Sequence, residues 1–169
     1  MPRYDVAPLD GFPPETGLML AALEDSQREW AENLGTPERE AIGWQMHEHG
    51  PSIGMLLLHM ADCELYWFEQ FIGGRPADRE LERELLSLDV KQDDGLWPLA
   101  PDQPWDWYLA LHGRVVRRAR AHLRDEDPGR VVSRGEDSFT VRWVVAHVLE
   151  HDAYHGGQAV MLHEAWKRR

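Results

Sequence analysis

Apolar residues recur along this chain at helical rather than strand spacing, in four long runs separated by proline- and glycine-rich breaks. The first run extends from about Pro14 to Leu34. Leu18, Ala22, Leu23, Trp30 and Leu34 give it a broad apolar side, Pro13 and Pro14 suit a helix start, and Gly35-Thr36-Pro37 stops it. A linker with room for a short helical turn leads to Gly50-Pro51-Ser52. The second run, about Ser52 to Ile72, carries Met55, Leu56, His59, Cys63 and Tyr66 on one stripe and ends at Gly73-Gly74. The third extends from about Trp105 to Leu123. Between these two, the charged segment Pro76 to Ser87 predicts a short surface helix, and Asp93-Asp94-Gly95 with Pro98 and Pro101 marks a loop.

Beyond the third helix, Val131 to Asp137 reads as connecting loop, with Asp137 or Ser138 capping a fourth helix over about Phe139 to Trp166. Little reads as strand. The prediction is an all-α chain: a four-helix bundle with a short extra helix in the connection between its second and third long helices, forming a single domain over residues 1–169.

Composition narrows the picture. A chain of 169 residues with 43% hydrophobic residues and eight tryptophans has enough apolar mass for one packed core. No stretch reaches the roughly 20 apolar residues of a membrane helix, and Met1-Pro-Arg-Tyr-Asp is no signal peptide, so a cytoplasmic location without membrane contact is expected. The lone Cys63 rules out an internal disulfide or a CxxC pair. A formal charge of −12 argues against a nucleic-acid partner, because such a surface repels phosphates.

The chemistry concentrates in His147-Val-Leu-Glu-His151-Asp-Ala-Tyr-His155, with imidazoles at every fourth position. Side chains four apart stack on one helix face, and Thr140, Val144, Val148 and Leu162 share the stripe of His151, so these rings face a core. Inward imidazoles are costly unless something satisfies them, and a metal ion would. One ion cannot take all three: His147 and His155 are separated by roughly 12 Å of rise. The usable pair is His147 with His151 or His151 with His155. The remaining imidazole becomes a hydrogen-bonding or substrate-contacting group.

His59, on the apolar stripe of the second helix, is the best further ligand. Cys63, one turn on, is the alternative, giving a site of one thiolate and two imidazoles. Asp62 and Glu64 flank it as candidate orienting groups or bases. Tyr66 and Tyr154 are candidate substrate contacts at a pocket edge. His47 and His49 lie in the loop before the second helix, and His112, His122 and His163 have no partner at ligand spacing. Gly156-Gly157 inside a helix implies close approach of a second helix or of a ligand.

Two segments carry a resemblance: Leu57-Leu58-His59-Met-Ala-Asp-Cys-Glu64-Leu-Tyr66-Trp67, and His147 through His155-Gly-Gly-Gln158. In these, and in the order and length of its helices, the chain resembles the DinB-like superfamily. Those metal-binding four-helix bundles include the YfiT-type hydrolases and the mycothiol- and bacillithiol-dependent enzymes. The resemblance implies His59, His151 and His155 as metal ligands, zinc or nickel as the ion, and a homodimer. It places His147 outside the ligand set. Many relatives carry an arginine after the last ligand histidine, where this chain has Gly156.

Three functional readings follow. The leading one is a metal-dependent transferase that uses a low-molecular-weight thiol, of the bacillithiol or mycothiol type, on an electrophilic small molecule. Its single cysteine makes an external thiol the more natural nucleophile. The second is a metal-dependent hydrolase of amides or esters, with Asp62 or Glu64 as base toward a bound water. The third is a non-enzymatic, stress-related metal-binding bundle.

Overall fold

The computed structural model describes residues 5–86 and 95–169. Among these the chain is mainly helical with one small sheet. Helix α1 (Pro14–Leu34) starts on its proline at the first turn and stops at Gly35, whose φ of +60° a side chain would strain. Its inner face is Leu20, Leu23, Trp30 and Leu34, while Leu18, expected on the apolar side, is 45% exposed. The linker contains the short helix α2 (Arg39–Gly43).

Helix α3 (Ile53–Glu64) is capped by Ser52, whose hydroxyl accepts from the Met55 amide at 3.3 Å. Ile53 through Leu58 are buried all round, which makes α3 the central helix. The sequence predicts a single regular helix to Ile72. Instead, Leu65–Ile72 widens into a π-helical segment, a form that periodicity alone does not announce.

Helix α4 (Arg79–Glu84) is capped by Asp78 and seats Leu81 against the core. Gly95, Pro98 and Pro101 lie in non-helical chain as expected, whereas Asp93 and Asp94 are outside the described residues. Helix α5 (Trp105–Arg120) tightens into a 3-10 turn over Ala121–Leu123.

The segment read as loop before the last helix is a β-hairpin. Strands β1 (Val131–Arg134) and β2 (Asp137–Thr140) pair antiparallel, Val132 opposite Phe139, around Gly135 at φ +61°. Ser133, Ser138 and Asp137 hide the strand pattern, since only Val132 is buried. The hairpin also moves the helix start. Thr140, not Asp137 or Ser138, caps helix α6 (Val141–Trp166), its hydroxyl accepting from the Trp143 amide at 3.3 Å.

Helix α6 packs along α1 and across α3, and α3 packs on α5. Gly156 permits the first contact: a Cβ there would stand 2.2 Å from Cδ1 of Trp30. A Cβ on its neighbour Gly157 would meet nothing within 4 Å among the described residues. Gly156→Ala is therefore expected to cost about 3 kcal/mol through overpacking and to lower Tm by about 6–12 °C. Gly157→Ala is expected to raise stability by up to about 1 kcal/mol through helix propensity. Thermal denaturation of the two variants checks both signs at once.

Candidate metal centre

The structure brings His59 of α3 together with His151 and His155 of α6. One ligand atom from each ring lies within 4.8 Å of the others. Nε2 of His59 and Nε2 of His151 are 3.0 Å apart, close enough to share an ion held by bonds of about 2.1 Å. Nδ1–H of His155 donates to Oε1 of Gln158, one helical turn on, at 2.7 Å. That bond leaves the lone pair of His155 on Nε2 and fixes the ring plane, the service that outer partners give ligand histidines. Gln158 stood in the sequence as part of a motif without a role, although its i, i+3 spacing from His155 was the available signal.

Electrostatics prepare these rings as ligands. Burial first, and then the neighbouring His155, lower His59 to about 4. Burial, reinforced by His155, His59 and His147, lowers His151 to about 3. Burial also lowers His155. All three are neutral imidazoles at physiological pH, the form that coordinates a divalent ion. Three neutral nitrogen donors fit zinc or nickel by donor chemistry.

The surroundings are aromatic. Trp97 stands edge-on to His59 with ring centroids 5.3 Å apart, and 6.4 Å from His155. Its backbone is latched by the loop before α3: the Trp97 amide donates to the His49 carbonyl at 2.9 Å, and the Gln45 side chain donates to the carbonyls of Trp97 and Pro98. The exposed His47 and His49 rings are thus not in the cluster, but their loop positions a tryptophan that packs against it. Nothing in the periodicity of a proline-rich loop marks Trp97.

His147 lies outside the trio, 6.4 Å from His151, stacked on Trp143 at 5.0 Å and 7°. Trp67 closes on both rings. Tyr66 packs with Trp67 and Phe71 beneath the Arg134 guanidinium. Tyr154 is 64% exposed, edge-on to His155 at 5.1 Å.

Asp62 is partly buried on α3, three residues after His59. Glu64 is fully buried and committed elsewhere: Arg120 donates to both its oxygens at 2.8 and 2.7 Å, and Gln27 to one at 3.0 Å. A hydrolytic base on Glu64 would have to break that pair. Cys63 is not in the cluster. Burial first, then Glu64 and Asp62, push its thiol well above the usual range. Iodoacetamide is therefore expected to leave native Cys63 unmodified at pH 8 and to label it only after denaturation; native labelling detected by mass spectrometry would refute the buried thiol.

Beneath the trio runs a polar network that the sequence did not disclose. Asp152, next to His151 and 1% exposed, accepts from Gln27 at 2.8 Å and from the Trp30 indole at 2.9 Å. Through Gln27 it joins the Glu64–Arg120 pair, so α1, α3, α5 and α6 meet at one set of hydrogen bonds. Burial raises Asp152 to about 6 against the hydrogen bonds from Gln27 and Trp30.

No described helix is long and apolar enough to cross a membrane. Residues 19–167 match the family model described as mycothiol-S-transferase. Over 169 residues the chain is 21% identical to YkkA of Bacillus subtilis (strain 168), itself described as uncharacterized, covering 97% of this chain and 95% of that one.

Proposed function

This chain belongs to the mycothiol-S-transferase family, and on that premise we propose that it is a metal-dependent transferase. It joins a low-molecular-weight thiol, of the mycothiol or bacillithiol type, to an electrophilic small molecule. The observation that carries this reading is the convergence of three neutral imidazoles, from His59, His151 and His155, at one point. They are the residues that would hold the ion, with zinc the first choice and nickel the alternative. When bound, a divalent ion supplies an open position at which a thiol is deprotonated at neutral pH.

The chain's own groups do the rest. Gln158 holds the His155 ring in its ligating tautomer. Trp97 shields the His59 and His155 rings from one side. His147, 6.4 Å from His151, and Trp143 present a stacked aromatic pair on which the electrophile can rest. The sulfur lone pair forms the new S–C bond, the thiol proton passes to solvent, and the leaving group departs with its electron pair. No protein thiol is needed, consistent with the burial of Cys63.

Zinc-loaded protein should convert monobromobimane to its thioether faster than buffer when bacillithiol or mycothiol is present, and show no turnover without thiol. Consumption of the electrophile or of simple amides at equal rates without thiol would instead establish hydrolysis.

A further inference from the structure

The long helices close against one another on three sides and stay open on the fourth. α1 packs on α6, α6 on α3 and α3 on α5, whereas α1 and α5 are not among the closely packed pairs. A cleft of about 450 Å³ opens along that seam, within the range of small-molecule sites. Three guanidiniums line it, and they are not equivalent. Arg120 is consumed by the buried Glu64, by Gln27 and by Glu24, the last at 3.2 Å. Arg117 and Arg124 have no carboxylate within ion-pair distance among the described residues.

Both free guanidiniums are seated over glycines. A Cβ on Gly113 would come within 3.1 Å of Nη1 of Arg117, and a Cβ on Gly11 within 2.7 Å of Nη1 of Arg124. The Arg124 guanidinium also lies over the Phe12 ring, 5.0 Å from its centroid. His112 also lines the cleft, edge-on to Trp30, with Nε2 buried and without a hydrogen-bond partner among the described residues. A buried imidazole nitrogen without a protein partner can be met by a polar group of a ligand, directly or through a water.

We propose that this cleft is a second binding site, distinct from the histidine trio, for a small organic molecule carrying two carboxylates. On a chain of net charge −12 the overall field repels anions, so two seated guanidiniums without a carboxylate partner in one concavity form a local anion receptor. Arg117 lies in α5 and Arg124 follows the 3-10 turn that ends it, a rise of roughly 10–12 Å along the chain, which suits two acidic ends rather than one. Phe12 and Val116 offer the apolar surface for the middle of such a molecule.

The test is amide-resolved NMR of the full chain, with and without zinc, titrated with glutarate and with phthalate, each beside its neutral diamide. At least one diacid should produce saturable shifts centred on Phe12, Gly113, Arg117 and Arg124, and the diamides none. Arg117→Gln with Arg124→Gln should raise its Kd by about tenfold or more, the scale of one lost charge-assisted contact. Both arginines are exposed, so a native spectrum in the double variant controls for folding. No saturable shift with either diacid, equal shifts from a diamide, or unchanged affinity in the double variant overturns the proposal. The readout is binding, not turnover, so it stands or falls separately from the role of the histidine trio.

Discussion

Replacing His151 with alanine should take metal content from about one ion per chain to background and lower thiol-dependent kcat/KM by more than about 100-fold, the upper end of what loss of an outer partner costs. His59→Ala and His155→Ala should do the same, because three donors are the minimum for a catalytic site with an open position. Gln158→Leu should give a graded result, with metal affinity weaker by about 10–100-fold, since it removes only the hydrogen bond that orients His155. Added zinc should raise the Tm of the wild type and not of the histidine variants. Elemental analysis of tag-free protein checks the first claim, and full metal content in any of the three histidine variants would remove that residue from the site. The same rings impose a pH dependence on the metal-free protein. His59 and His151 are held at about 4 and about 3, below their ordinary 6.5. The unfolded chain therefore takes up protons that the folded site refuses, so stability is intact above about pH 6.5 and falls as pH drops from there toward 4. Urea midpoints across that window should fall in the wild type and fall less in His59→Ala.

What could be read from the sequence follows the range of each interaction. The α1 boundaries were legible because a proline start and a glycine stop are local signals, and the His151 and His155 faces because helical spacing is local too. The convergence of His59 on them was an inference from two apolar stripes and a family likeness, and the fold places the three together. The hairpin escaped because its strands are short and polar, with a single buried residue between them to give a period. The π-helical stretch after Glu64 escaped because its composition is that of any apolar helix. The Arg120–Glu64–Gln27–Asp152 network joins residues 37 to 125 positions apart; Arg120, Gln27 and Asp152 each read alone as an ordinary polar residue on a helix, and Glu64 as a candidate base rather than an ion-pair partner. Trp97 sits in a loop and acquires its place from backbone hydrogen bonds to another loop.

That network makes Arg120 the residue outside the trio whose loss should matter most. Arg120→Met strands the Glu64 carboxylate, 0% exposed, with Gln27 as its remaining donor. An uncompensated buried charge of this kind costs about 3–5 kcal/mol, or a drop in Tm of roughly 6–20 °C at this chain length. Removing both members of the pair, Glu64→Met with Arg120→Met, should recover most of that loss, because an apolar replacement of the whole pair is frequently neutral. Metal retention separates stability from positioning. Glu64 lies on the same helix as His59, and Gln27 ties it to Asp152, the neighbour of His151. If the network sets the rotation of α6 against α3, the double variant regains its Tm but holds zinc less tightly than the wild type, by about tenfold for a loss near 1.4 kcal/mol. Full recovery of both would show that the network stabilises the helices without positioning the ligands. A double variant as unstable as the single would show that Arg120 acts through Glu24 and Gln27 rather than by neutralising Glu64.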